Sequence, residues 1–168
     1  MSYGKNAGSG RSTREATAGD AGRIHTLACE LAETVGDSPP GFEAVRMRLS
    51  ELLEEPRARV LVAEDDEGAA VGAASLWIKP DLAHGDTVVE VPMLVVAEDR
   101  RRGGVGRLLM EEIRRLATEN GAGIIELVAT SDNRAAREFY HSLGFVETDH
   151  VALEFVGEIE TPMDSEED

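Results

Sequence analysis

The chain has 168 residues, 42% hydrophobic and 30% charged, and its 33 acidic against 17 basic side chains leave a formal net charge of −16. That balance argues against a nucleic-acid partner, which needs a broad basic surface, and the composition argues against a wholly disordered chain. No window approaches the roughly 18 apolar residues of a membrane span, the start MSYGKNAGSGRST lacks an apolar leader core, and the single cysteine, Cys29, cannot close an internal disulfide, so a cytoplasmic protein with no membrane partner is expected.

One domain of this length buries about 70% of its unfolded surface. Residues 1–12 are Gly, Ser and polar, and residues 157–168, GEIETPMDSEED, are acidic; both read as mobile ends. Arg14 to Thr17 suits a short strand. Asp20 stands where a helix N-cap should, before Ile24, Leu27, Ala28, Leu31 and Val35 on one helical face, and Gly36 ends that helix. Cys29 falls on the same face and reads as a small core residue. Phe42, Val45, Leu49, Leu52 and Leu53 make a second amphipathic helix closed near Pro56. Ala58 to Glu64 and Val71 to Ile78 are β-rich runs joined by a turn of Asp and Gly, a hairpin signal. Trp77, near the end of the second run, reads as a packing residue.

TVVEVPMLVV is a third strand, and Pro92 inside it cannot donate to a ladder, which points to a bulge or an unpaired edge. Val105, Leu108, Leu109, Ile113, Leu116 and Ala117 then share a helical face, with Glu111, Glu112, Arg114 and Arg115 opposite. Asn120 and Gly121 close this helix. Ile124 to Ala129 is a short apolar strand, SDNRAAREFYHSLGF a short helix stopped at Gly144, and Val151 to Val156 a last strand. Helices and strands in this order describe an α+β domain around a mixed sheet.

The run RRRGGVGRLL, Arg100 to Leu109, concentrates positive charge and glycine between a strand and a helix. Such a loop receives anions: its N–H groups and those of the first helical turn converge, and glycines at 103, 104 and 106 let a phosphate approach. Arg101, Arg102 and Arg107 add cations. The Walker pattern requires Lys and then Ser or Thr, and the dinucleotide pattern requires glycine where Leu109 stands, so both fail. Taken alone, the loop is equally readable as a turn with basic residues in solvent.

Two motifs narrow this. Arg101-Arg102-Gly103-Gly104-Val105-Gly106 fits the R/Q-x-x-G-x-G/A signature of the GNAT superfamily of N-acetyltransferases, and LVVAEDRRRGGVGRLLMEEI resembles that family's strand, loop and helix unit. Asn133, Ala136, Phe139, Tyr140, Gly144 and Phe145 follow its second pattern, N-x-x-A-x-x-x-Y-x-x-x-G-F. The resemblance covers roughly residues 13–156 and implies a GNAT-like acyl-CoA N-acyltransferase fold: a single domain with a central mixed, mostly antiparallel sheet flanked by helices.

It also implies a chemistry. Acetyl-CoA would be the cosubstrate, its diphosphate held by the N–H groups of Gly103, Gly104, Val105, Gly106 and Arg107, with its pantetheine arm along Leu94, Val95 and Val96. A splayed strand edge would put the Val96 N–H at the thioester carbonyl, and Tyr140 would protonate the departing thiolate. By residue pattern alone, Tyr140 reads rather as a core aromatic with a satisfied hydroxyl, and the catalytic role comes from the match to the second motif. Glu90 is the candidate base, against the reading of a strand carboxylate on a solvated face. Asn133 either binds the pantetheine arm or simply caps its helix.

His84, His141 and His150 lack metal spacing, so no metal is expected. The expected acceptor is a small-molecule or peptide amine, with the acidic balance leaning toward polycations, and family habit allows a homodimer. A non-catalytic acyl-CoA binding or sensing domain would keep the same loop and is the competing reading.

Overall fold

The computed structural model describes residues 10–159; residues 1–9 and 160–168, most of the two expected mobile ends, lie outside it. Five strands form one sheet in the order β1-β2-β3-β4-β5. These are β1 (Ser12–Glu15), β2 (Ala58–Glu64), β3 (Ala70–Asp81), β4 (Asp86–Val96) and β5 (Ile124–Glu126), interleaved with α1 (Ala21–Val35), α2 (Phe42–Glu54), α3 (Val105–Glu119) and α4 (Arg134–Ser142). The first four strands are antiparallel neighbours, and only β4 and β5 run parallel, joined through α3.

Both faces of the sheet are covered, as its nearly continuous apolar strands require. Ile24 and Leu27 of α1 and Leu49 of α2 pack with Val60, Val62, Ala73 and Val95 on one face. Leu109, Met110 and Ile113 of α3 pack with Leu61, Leu76, Val89 and Val91 on the other. The helix comes close to the sheet at Gly72, where a Cβ would fall 2.8 Å from Val105 Cγ1 and 3.2 Å from Leu109 Cδ1. That approach sets the start of α3 over the end of β4.

Several sequence expectations change here. Strand β1 begins at Ser12 and ends at Glu15, earlier than Arg14 to Thr17. Asp20 holds the N-cap position of α1, but its side chain makes no cap bond to that helix. It closes a 3-10 turn over Ala18–Asp20, and its carboxylate accepts the Thr17 N–H at 2.8 Å and both Nη atoms of Arg14 at 2.8 Å. Cys29 is half-buried beside His25 and the Pro40 carbonyl instead of in the core. On α3, Met110 is buried and Glu112 goes in rather than out, because Arg115 on the next turn forks onto its carboxylate at 2.5–3.1 Å. Residues 151–156 form no strand: Val151, Leu153 and Phe155 are 79%, 91% and 76% exposed, and alternation without a paired neighbour builds no ladder.

The Arg14–Asp20 fork, extended by Arg14 Nε to Glu64 at 2.6 Å, ties β1 to β2 and to the start of α1. The guanidinium holds the Asp20 carboxyl below the usual carboxylate range. A lowered native pKa adds stability that is present above the unfolded value near pH 4 and is lost as pH falls through the native one. Asp20→Ala should therefore cost about 2 kcal/mol near neutrality, roughly 4–8 °C in Tm, and the gap to the unaltered chain should close in melts run at progressively lower pH.

Candidate active site

The site is built around an interruption in β4. Ser75 pairs with Met93 but Trp77 pairs with Glu90, so Val91 and Pro92 together oppose Leu76. This is the bulge that Pro92 predicts, since the residue without an N–H sits where the ladder breaks. Below it, the Gly123 N–H donates to the Thr87 carbonyl at 3.0 Å, so residues of odd number face β5. Above it, the Ala97 N–H donates to the Val71 carbonyl at 2.8 Å, and antiparallel alternation then points Val95 at β3 and turns Leu94 and Val96 the other way. The extra residue switches the phase of the strand.

Pairing between β4 and β5 stops at Glu90 and Glu126. Beyond that point β4 keeps β3 on one side and, among the described residues, has no strand on the other, so the N–H groups of Leu94 and Val96 line an open edge. Arg101 confirms the direction by donating from Nε to the Val96 carbonyl at 3.2 Å. Side chains of Leu94 and Val96 pack toward α3, together with Phe139, Tyr140 and Phe145 of the α4 region.

The open edge leads directly into the glycine loop. Arg102 (φ 65°) and Gly104 (φ 87°) take left-handed conformations, and Gly104 precedes the first residue of α3. Among the described residues no side chain caps this helix, and the first intrahelical bond is from the Leu108 N–H to the Gly104 carbonyl at 3.0 Å. The N–H groups of Val105, Gly106 and Arg107 therefore meet no backbone acceptor within the helix and, with the helix dipole, form an anion cradle. Gly106 fits here because a Cβ would fall 2.9 Å from Phe139 Cζ, so the residue lets α4 close against the start of α3.

The arginines divide. Arg102 and Arg107 are exposed at the cradle, whereas Arg101 turns to the Val96 carbonyl and to Thr34 Oγ1 at 3.5 Å, and Arg100 pairs with Asp65 at 3.3 Å and Asp99 at 3.8 Å.

Helix α4 explains the second motif physically. Asn133 Oδ1 accepts the Ala136 N–H at 3.1 Å, capping the helix, and its side-chain amide nitrogen has no partner among the described residues. At the other end the Phe145 N–H returns to the Tyr140 carbonyl at 3.0 Å and the Gly144 N–H to the His141 carbonyl at 3.0 Å, with Gly144 at φ 92°. That is a Schellman closure, in which the residue after glycine packs back three places inside the helix end. Phe145 accordingly meets Tyr140 edge-on at 5.6 Å between ring centres, with Phe139 at 5.2 Å on its other side. Arg114 of α3 donates to the Leu143 carbonyl and anchors this end. Tyr140 is half-buried, its hydroxyl has no protein partner among the described residues, and burial pushes its pKa above the usual phenol value.

Glu90 lies at the point where β4 and β5 part, ion-paired with Lys79 of β3, and Glu126 of β5 reaches the same ammonium at 3.7 Å. The two carboxylates hold the Lys79 pKa above its ordinary value, with Glu90 the main cause. Sequence reasoning singled out Glu90 but neither Lys79 nor Glu126. The structure thus brings together the β4 edge, the cradle and α4 on one side of the gap and the Glu90 group at its closed end. Among the described residues no three His, Cys, Asp or Glu side chains are placed to hold a metal ion, and no helix is long and apolar enough to cross a membrane.

A family model described as the acetyltransferase (GNAT) family matches residues 24–145. Solved structures share the fold. A transcriptional regulator from Bacillus halodurans C-125 is 22% identical over 86% of this chain and 98% of that one, with a TM-score of 0.76. A protein from Clostridium difficile 630 described as a possible acetyltransferase is 18% identical over 90% and 99%, also at 0.76. An aminoglycoside acetyltransferase from an uncultured soil metagenomic sample is 22% identical over 89% and 99%, at 0.67.

Proposed function

The chain belongs to the acetyltransferase (GNAT) family, and we propose that it transfers an acetyl group from acetyl-CoA directly to a primary amine. The observation that carries this reading is the open β4 edge at Leu94 and Val96, running from the bulge to an uncapped glycine-rich helix start. The residues fit the coenzyme: left-handed Gly104 and the first-turn N–H groups suit the diphosphate, and the strand edge suits the amides of the pantetheine arm. Acetyl-CoA supplies the activated acetyl group as a thioester.

The protein's own groups do the rest. The Val96 N–H polarises the thioester carbonyl, where negative charge develops as the amine attacks. Tyr140 gives its proton to the departing sulfur: burial raises its pKa and so keeps the phenol protonated until the thiolate leaves, and its hydroxyl has no protein acceptor among the described residues. Glu90 draws the ammonium proton from the acceptor once Lys79 yields its place, and Glu126 adds negative charge beside it. A net charge of −16 steers cationic acceptors toward the molecule.

One observation favours the non-catalytic reading, an acyl-CoA binding or sensing domain: the candidate base already has an ammonium partner in Lys79. Thiol release separates the two. Incubated with acetyl-CoA and a panel of aminoglycosides, polyamines, amino acids and amino-terminal peptides, the protein should release free coenzyme A thiol above background with at least one amine. Coenzyme A binding by calorimetry without release for any amine would replace the enzyme reading with the binding one.

A further inference from the structure

We propose that Arg11, just before β1, is a phosphate-binding residue of the coenzyme site. The assignment rests on the acetyl-CoA reading and extends it to a part of the chain outside the family's two motifs.

The register of β1 places this residue. Ser12 pairs with Glu64, the last residue of β2, so Arg11 and Gly10 come next to the β2–β3 turn. Gly10 permits the close approach: a Cβ there would fall 1.7 Å from Asp66 Oδ1. The Arg11 side chain then reaches the glycine loop. A Cβ on Gly103 would lie 3.1 Å from Arg11 Nη2 and 3.2 Å from Nη1, and one on Gly104 would lie 3.9 Å from Nη1. The guanidinium thus occupies the space that a side chain at 103 would take, beside the proposed diphosphate cradle.

Charge points the same way. The β2–β3 turn brings Asp65, Asp66 and Glu67 to a surface cavity of about 330 Å³ that they share with Arg11 and Arg100. Three carboxylates beside an anion site oppose binding unless cations offset them. Asp65 is already engaged: it accepts the Ala69 N–H at 2.9 Å and the Glu67 N–H at 3.0 Å and pairs with Arg100 at 3.3 Å. Arg100 is occupied with Asp65 and Asp99. Arg11 is felt by Asp65 through its charge but has no carboxylate in ion-pair range among the described residues, so its N–H donors are the ones at this corner left to face a phosphate. Coenzyme A carries phosphate in two places, the diphosphate and the 3′-phosphate of its ribose.

Calorimetry on the full chain tests the assignment, with coenzyme A, dephospho-coenzyme A and pantetheine as titrants. Arg11→Ala should raise the Kd for coenzyme A about tenfold, the scale of one charge-assisted contact partly screened by solvent, and Arg11→Lys should recover part of it. Pantetheine, which has no phosphate, should bind the unaltered chain and Arg11→Ala alike. A penalty that persists with dephospho-coenzyme A assigns Arg11 to the diphosphate, and one that vanishes assigns it to the 3′-phosphate; either supports the proposal. Equal coenzyme A affinity in Arg11→Ala and the unaltered chain would overturn it, as would an equal loss for coenzyme A and pantetheine. If the unaltered chain binds no coenzyme A, the acetyl-CoA reading falls first and takes the assignment with it.

Discussion

Tyr140→Phe should lower kcat for acetyl transfer by about 10²–10⁴-fold, the usual worth of a positioned general acid, and leave the Kd for coenzyme A unchanged. The substitution isolates chemistry from folding because the Tyr140 hydroxyl has no protein acceptor among the described residues. The ring, which is what packs against Phe139 and Phe145, is retained. No native hydrogen bond is lost, so Tm should hold or rise slightly. Burial raises the phenol pKa, so its proton stays in place through the neutral range, and kcat should show no alkaline fall from this group below about pH 10. Full turnover by Tyr140→Phe, measured as thiol release at saturating acetyl-CoA, would remove the tyrosine from the mechanism.

The second large effect is expected at the loop, where two glycines should fail in different ways. Gly104 is left-handed at φ 87°, and among the described residues only Arg11, at 3.9 Å, lies near a Cβ placed there. Gly104→Val thus meets backbone strain instead of crowding, about 1–2 kcal/mol against a left-handed L-residue and more for a β-branched one. The loop should relax out of the cradle and the coenzyme A Kd should rise at least about tenfold by the same energy, with kcat at saturation largely kept.

Gly106 has an ordinary helical backbone, but a Cβ there would press on Phe139 Cζ at 2.9 Å. Gly106→Val should push α4 outward and carry Tyr140 with it, so kcat and affinity fall together. Titration and steady-state kinetics on both variants read the difference. Unchanged affinity in Gly104→Val would mean that the loop does not hold the diphosphate.

Much of the fold was legible in short stretches of chain. Ala58 to Glu64 and the helix from Phe42 could be placed from alternation and periodicity, because each buries one face and its residues say which. Pro92 announced the bulge because a missing N–H must fall where no partner needs it. The second motif was legible for the same kind of reason: Asn133 caps one end of α4, while Gly144 and Phe145 close the other and fold an aromatic onto Tyr140.

Errors arose where alternation had to find a neighbour. Val151 to Val156 has the pattern of a strand, yet strands exist only in pairs, and in this structure no strand pairs with the segment. Glu112 looked like a surface residue, because its burial depends on the Arg115 fork as well as on its place in the helical repeat.

Local chemistry along the chain was therefore enough for the family's two motifs, the loop that suits a phosphate and the tyrosine set in an aromatic bracket. Three meetings came only from long-range packing: Arg11 on the glycine loop, Lys79 between Glu90 and Glu126, and Leu94 and Val96 turned toward the gap. Each depends on strand register, set by the burial of residues distant in sequence, and a slip of one residue would send every one of these groups to the opposite side.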